Sequence, residues 1–453
     1  GFHRAYQVQN PTQRTGTRVF NNPFFSLNEL VNRSDVSRIF GNVRLEYEPI
    51  DRVNVRYTLG YDNAVDNRRT VYPIGDSSHP LGRVIREELS NKEIDGSLLI
   101  STVGRFGDQV TLNAVLGQNL NHREFRNFST TGDGLSVNGL NQLGNAPTHT
   151  GEEFESVIHT VSHFAQVSAG LYRQFYLTGA LRNDGSSTFG SSQKYHWYPK
   201  LSGAWEFTRF RGPSHPGWLT YGKVRLAYGE AGQQPDVYST LDTYVSDTFD
   251  EILEPGPGST AFGFGGFFSA DEKGQPEIKP QRTRETEFGL ELGLMDNRLG
   301  LDLAMYSART TDAIFFATLP PSTGYKNQAR NAGVLTRKGL EMGLQIRALN
   351  RPGIRWDLQA QYGRNRNKVV SLPGAEVIRF GWLNVSAALE GYPLGVFYGS
   401  FNFIRFGRGI KVEGVDIDSA YPQARPGDLY IAENGYPIND PEARVAGDHN
   451  PDW

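Results

Sequence analysis

The stretch VNVRYTLGY at residues 53–61 decides the fold class, because its residues alternate strictly in polarity. Every odd-numbered residue is Val, Tyr or Leu, and every even-numbered residue is Asn, Arg, Thr or Gly. Successive side chains of a β-strand point to opposite faces, so this stretch predicts a strand with one apolar face. The preceding stretch IFGNVRLEY at 39–47 alternates in largely the same way, and EPIDR at 48–52 is typical of a turn. Together they predict a long antiparallel hairpin.

The same alternation recurs along the chain and predicts twelve strands, with 394–406 as a thirteenth candidate. The twelve stretches are 39–47, 53–61, 93–103, 109–119, 157–171, 175–183, 195–207, 218–230, 283–294, 299–310, 334–347 and 354–366. The connections between them are alternately short and long, and the long ones are 62–92, 120–156, 184–194, 231–282 and 311–333. An up-and-down sheet places all short connections at one end, which is the asymmetry of a bacterial outer-membrane barrel.

A soluble antiparallel sandwich would also alternate, so the two architectures must be weighed. The predicted strands have 9 to 15 residues, whereas strands of soluble sheets average about 5–6 and membrane-spanning strands need about 9–11. Arg44, Arg56 and Arg225 all fall on the non-apolar face, which is where a barrel in lipid must place them. We therefore predict an all-β transmembrane antiparallel up-and-down β-barrel in a bacterial outer membrane.

Composition excludes several other classes of protein. At 453 residues the chain exceeds the roughly 250–300 residues that one ordinary hydrophobic core supports, which favours a barrel or several domains. The 46 basic and 49 acidic residues give a net charge of −3, so composition argues against a nucleic-acid-binding protein. With no Cys, disulfide frameworks and thiol nucleophiles are excluded. The 51 Gly and 27 Phe, 21 Tyr and 6 Trp residues are typical of turns and strands.

The spacing of polar residues predicts no catalytic site, no metal and no cofactor. His159 and His163 would share a metal on a helix, but four residues along a strand span about 13 Å. The stretch Asn183-Asp184-Gly185-Ser186-Ser187 is first of all a turn signal. Nothing in the spacing brings a Ser/His/Asp set or a pair of carboxylates together, so we predict that the protein is not an enzyme.

Several ordered motifs resemble one family. TGALRNDGSSTFG at 178–190 and YHWYPKLSGAWEF at 195–207 resemble the barrel signature of the SusC/RagA-like TonB-linked outer-membrane transporters, in the TonB-dependent receptor superfamily. The other matching stretches are NPFF at 22–25, RLAYGEAGQQ at 225–234, ETE at 285–287, NRLGLDLAMYSAR at 297–309, NAG at 331–333, KGLE at 338–341, EGYPLGVFYGS at 390–400 and VAGDHNPDW at 445–453. The resemblance implies a barrel of about 22 strands, with roughly 12–14 represented here. Residues 1–453 would then be a partial barrel domain without the family's plug domain and final strands.

The resemblance also implies a function and partners. It indicates TonB-dependent import of a large nutrient, an oligosaccharide or an oligopeptide, through a plugged barrel. The implied partners are a SusD-like surface lipoprotein that covers the barrel, TonB–ExbB–ExbD acting through the N-terminal part, and the surrounding outer-membrane lipid. No nucleic acid is expected. The alternative is a structural or adhesive barrel that binds a partner through its external loops without transport.

The long connection 231–282 holds the candidate ligand-binding residues. These are the aromatic residues Tyr244, Phe249, Phe262, Phe264 and Phe267. Aromatic rings stack on sugar rings and on peptide side chains, so this Gly-rich loop is predicted to contact ligand. The competing interpretation is that the same rings anchor the loop against its neighbours.

Overall fold

A computed structural model describes the chain at residues 6–9, 17–209, 217–247, 266–381, 385–399, 404, 406–407, 411–412, 415–426, 428–431 and 444–447. Its strands, in chain order, are β1 Tyr6–Gln9, β2 Thr17–Phe20, β3 Val31–Ile50, β4 Val53–Tyr72, β5 Arg83–Phe106, β6 Val110–Asp133, β7 Thr148–Leu171, β8 Phe175–Ser186, β9 Tyr195–Trp205, β10 Leu219–Gln233, β11 Tyr244–Asp247, β12 Gly266–Ser269, β13 Glu272–Lys273, β14 Gln281–Leu294, β15 Leu299–Thr318, β16 Asn327–Arg351, β17 Ile354–Ser371, β18 Val377–Phe380, β19 Ser386–Leu389, β20 Val396–Gly399, β21 Lys411–Val412, β22 Val415–Asp416 and β23 Arg444–Gly447. The α-helices are α1 Pro23–Glu29 and α2 Ile417–Ala420, and short 3-10 turns lie at Leu143–Asn145, Ser191–Gln193, Phe207–Arg209 and Pro321–Thr323.

One antiparallel sheet contains all twelve predicted strands in up-and-down order. It runs from β3 through β10 and continues from β14 through β17, with each strand beside its neighbour in this series. The small strand β13 adds to β16 in parallel. The predicted fold class and strand order are confirmed. Among the described residues no pairing joins β3 to β17, so both strands keep one open edge.

All twelve strands except β9, which ends at Trp205 rather than at 207, are longer than predicted, and the long connections are correspondingly shorter. The connection predicted at 62–92 reduces to 73–82, and the one predicted at 120–156 reduces to 134–147. The prediction ended each strand where the regular alternation ends, but the backbone pairing continues through stretches in which polar residues occupy both faces and the alternation is lost. The turn predicted from 183 is wrong for the same reason, because β8 runs to Ser186. The thirteenth candidate is also wrong as a barrel strand, since β20 pairs within a separate four-stranded sheet.

The register brings the apolar side chains onto one side of the sheet. Directly opposed residues share a face, and one row of such partners consists of Val110, Leu171, Phe175, Trp205, Val224, Leu290, Leu303, Met342 and Tyr362. We call this side the apolar face. Its side chains lie open, with Leu116 58% exposed and Leu226 56% exposed. A continuous open apolar surface of this size is typical of contact with lipid.

The opposite side, called the polar face, carries paired charges. Arg225 lies 2.6 Å from the Glu291 carboxylate and 3.0 Å from that of Asp302, and Lys223 also reaches Glu291. Arg225 is thus on the non-apolar face, as predicted. In a closed barrel these groups line the interior, so they avoid the cost of charge in hydrocarbon.

The NPFF stretch forms a small anchored helix next to the connection 73–82. The Asn22 side chain caps α1 by accepting from the Phe24 amide at 2.9 Å, and Phe25 is buried. The preceding Asn21 donates to the carboxylate of Asp76 and accepts from the Ser77 amide. No helix among the described residues is both long and apolar enough to cross a membrane.

Candidate functional site

A cavity of about 1460 Å³ lies at the long-connection end of the polar face. Its floor comes from β6, β7, β8 and β9, and its roof comes from the connection between β10 and β14. Floor residues share the polar face because they alternate with the apolar residues of the same strands. They are Arg123, Phe125, Phe154, Ser156, Ile158, Thr160, Ser162, Arg182, Asp184 and Tyr198.

Arg182 is the most constrained cation of the floor. Its Nε donates to Asp184 Oδ1 at 2.6 Å and its Nη2 donates to Ser162 Oγ at 2.9 Å. Its guanidinium also lies 5.7 Å from the centroid of the Phe164 ring. Because these contacts fix the guanidinium plane, Arg182 presents its remaining donors to the cavity in a defined direction.

Aromatic rings provide the apolar part of the floor. The rings of Phe125 and Phe154, on neighbouring strands, are 6.2 Å apart and tilted at 54°. Tyr198 is 8% exposed, and the guanidinium of Arg282 lies 5.2 Å from its ring centroid. The cavity therefore combines stacking surfaces with charge, which suits a ligand that is itself partly apolar and partly polar.

The roof is tied to the free upper edge of β7. β8 ends opposite Thr160, which leaves the backbone of β7 without a strand partner on that side beyond this point. Tyr238 Oη donates to the Glu155 carbonyl at 2.7 Å, and the Ser187 amide donates to the His159 carbonyl at 2.9 Å. Both bonds satisfy exposed strand groups with loop donors, and the bond from Tyr238 holds the roof above the floor.

Glu272 is a carboxylate of the roof that lines the cavity, and one of its two oxygens lacks a hydrogen-bond donor among the described residues. Its Oε1 is buried and has no hydrogen-bond partner among the described residues. Burial raises the pKa of Glu272, and the neighbouring Asp236 carboxylate raises it further, whereas a hydrogen bond from Ser239 opposes both. Both carboxylates line the cavity, so the roof favours a ligand group that donates hydrogen bonds or carries positive charge.

We expect ionisation of Glu272 to loosen the roof. Its folded-state pKa lies above the unfolded value, so its stabilising contribution is complete below the unfolded pKa and is lost as pH rises through the folded pKa. Hydrogen exchange of the segment 266–280, corrected for the intrinsic rate, should therefore be faster at pH 8 than at pH 5. Glu272→Gln should remove this difference, and Glu277→Gln, a change at an exposed carboxylate of the same segment, should preserve it. An unchanged pH difference in Glu272→Gln would contradict the assignment.

Only part of the predicted aromatic set can be placed. Tyr244 lies on β11 and is 67% exposed, while its neighbours Thr243 and Val245 line the cavity, so its ring points to the other side of the ribbon. The backbone of Phe267 lies on β12 opposite Ser246. Phe249, Phe262 and Phe264 lie outside the described residues. Their role in ligand binding stays a prediction.

The predicted separation of two histidines is consistent with the strand geometry, but a different pair is close. His159 and His163 both lie on β7, four residues apart. His159 instead faces His122 on β6, and their Nδ1 atoms are 3.3 Å apart. Within the described ranges no group of three or more metal-ligating side chains converges.

Comparisons with known proteins agree with the barrel architecture seen in the structure. A family model described as TonB dependent receptor-like, beta-barrel matches residues 2–438. TonB-dependent receptor P26 of Formosa agariphila is 24% identical over 79% of this chain, and TonB-dependent receptor SusC of Bacteroides thetaiotaomicron is 25% identical over 48%. The matched stretches cover 36% and 21% of those proteins, so the match spans well under half of either relative's length. The RagAB peptide transporter structure has a TM-score of 0.72 at 18% identity, covering 89% of this chain and 45% of that one, which shows a common fold.

Proposed function

The chain belongs to the TonB-dependent-receptor-like β-barrel family, and from this premise we propose that it serves the import of a large nutrient, an oligopeptide in the first place. The resemblance to SusC/RagA-like receptors that the motifs predicted is confirmed, and the barrel lies in the outer membrane. The family consists of receptors and transporters rather than enzymes.

The observation that carries the proposal is the composition of the cavity. Charges of both signs line it. The cations are Arg123, Arg182 and Lys326, and the carboxylates include Asp184, Asp271 and Glu272. A peptide offers backbone donors and acceptors, two charged termini and apolar side chains, so it complements both these charges and the Phe rings. An oligosaccharide, which the same rings could stack on, is the second ligand class. The similarity to the RagAB peptide transporter supports the first.

Two partners belong to the proposal. We infer that energy comes from TonB–ExbB–ExbD through an N-terminal part of the full-length protein. A SusD-like surface lipoprotein would cover the long-connection end, with the connection 234–280 contributing to the contact. Loops of this length are usually functional, and this one already forms the roof of the cavity.

The ligand class is tested by a matched pair of substitutions in the full-length protein. Phe154→Ala removes a ring from the cavity, and Phe128→Ala removes an exposed ring from the opposite face of β6. We expect Phe154→Ala to weaken binding of peptides from a tryptic casein digest by at least about fivefold, because a stacked aromatic contributes roughly 1 kcal/mol beyond its area. Phe128→Ala should bind as the unchanged protein does. Preferential binding of malto-oligosaccharides over the digest would favour the second class.

Import and adhesion are separated by energy dependence. Cells that carry the full-length protein should accumulate the bound ligand only when TonB is present, whereas binding at the cell surface should persist without it. Equal accumulation with and without TonB would contradict import and favour the adhesive barrel. Co-purification of a SusD-like lipoprotein, lost on deletion of 240–270, tests the second partner.

A further inference from the structure

A group of cations lies on the outward side of the sheet, immediately beyond the apolar residues of β15, β16 and β17. We call it the basic patch, and it consists of Arg309, Lys338, Arg364, Arg366 and Lys368. Arg364 is the member closest to the apolar residues, because it lies directly opposite Leu340, which in turn lies opposite Met305 on the apolar face. Lys338 and Arg366 form the next row, and Lys368 lies one row further along β17. All five side chains are exposed.

The patch is arranged so that like charges face each other. Lys338 is the direct cross-strand partner of Arg366, and Arg309 is the direct partner of Arg284 on β14. Directly opposed like charges destabilise a sheet unless something compensates them. Within the described ranges, none of the five patch residues forms an ion pair, and only the adjoining Arg284 reaches a carboxylate, that of Glu230 at 3.1 Å.

Another outward-facing part of the sheet pairs its cations differently. On β5 and β6 the outward cations Lys92 and Arg126, which lie beyond the apolar residues, are paired within the protein. Arg126 bridges Glu124 at 2.8 Å and Glu155 at 3.2 Å, and Lys92 reaches Glu124 at 3.5 Å. On β16 itself, Arg337 points to the polar face and lies 3.5 Å from Glu285. A second outward row, Arg33, Arg69 and Arg86, also opposes like charges, but Arg33 pairs with Asp35 at 2.8 Å and Arg69 donates to the Asn141 carbonyl at 2.6 Å. The basic patch differs because, within the described ranges, none of its five members has an ion-pair partner.

We propose that the basic patch binds the phosphate groups of the anionic glycolipid of the outer leaflet, represented chemically by bis-phosphorylated lipid A. In an outer-membrane barrel the long-connection end faces the exterior, so the patch lies at the headgroup level of the outer leaflet. Arginine forks bind phosphate oxygens in pairs, and a phosphate between two opposed cations removes their repulsion. The acyl chains continue onto the apolar face at Leu340 and Met305. This inference rests on the membrane location and does not depend on the imported ligand.

The test measures lipid binding to the full-length protein in an uncharged detergent by native mass spectrometry. The probes are bis-phosphorylated lipid A, its monophosphorylated form, and inorganic phosphate as competitor. We expect the double variant Lys338→Gln and Arg366→Gln to bind bis-phosphorylated lipid A about thirtyfold more weakly. Each cation near an anionic leaflet strengthens binding by about five- to sixfold, and the variant removes two. The charge-preserving double variant Lys338→Arg and Arg366→Lys should bind within about threefold of the unchanged protein.

The matched control changes two cations of the polar face, Lys200→Gln and Arg337→Gln, and should leave lipid A binding unchanged. Folding is checked independently, because removing opposed like charges should not lower the melting temperature without lipid, while the increase caused by lipid A should be lost. Equal lipid A binding by the patch variant and the unchanged protein would overturn the proposal. So would an equal loss in the control, or displacement of lipid A by inorganic phosphate at the same concentration.

Discussion

Residues 1–453, refolded alone in detergent, should not give a closed, heat-resistant monomer. β3 has 20 residues and β17 has 18, and within the described part of the chain each pairs on one side only, with β4 and β16 respectively. In hydrocarbon every unsatisfied backbone group costs several kcal/mol, so two open edges outweigh the gain from the apolar face. Gel mobility before and after boiling reports closure, because a closed barrel migrates faster unheated.

The full-length protein, prepared in the same way, is the control and should show the shift in mobility. A concentration series separates closure from association through the open edges, since edge-to-edge oligomers grow with concentration. A heat-resistant monomer from residues 1–453 at low concentration would show that β3 and β17 find partners within this chain, and our account of the open edges would be wrong.

The order of the strands could be predicted from sequence because lipid imposes a simple rule on each strand. Any residue such as Leu290 or Val224 that faces hydrocarbon must be apolar, whereas its neighbours along the strand face the interior and can be polar. The rule ends where the membrane ends. From Asp62 to Tyr72 on β4 both faces meet water or loops, so the alternation disappears although the pairing with β5 continues.

The cavity could be predicted only in part, since it is built from residues that are far apart in sequence. Arg182 carried a signal, because it follows Leu177 and Leu181 in the alternation of a predicted strand and so belongs to the polar face, whereas Asp184 lay in the stretch predicted as a turn. Nothing in the sequence indicated that Glu272 would be held above them. That placement depends on backbone bonds such as the one from Tyr238 to Glu155, which have no sequence pattern. The connection that carries the predicted aromatic residues forms the roof of the cavity, and their contact with ligand stays a prediction.

The membrane rule leads to the last prediction, which compares two adjacent residues of β16. Leu344 lies on the apolar face, opposite Leu301 and Ala360, and Gln345 lies on the polar face, opposite Gly300. Leu344→Arg should destabilise the full-length barrel by about 2–4 kcal/mol, the cost of a guanidinium near the middle of the bilayer. Gln345→Arg should have little effect, because its surroundings include the carboxylates of Asp302 and Asp357. Equilibrium unfolding by guanidinium chloride in lipid vesicles measures both changes. If Gln345→Arg proved the more damaging of the two, the assignment of the faces would be reversed, and with it the positions of the cavity and the basic patch.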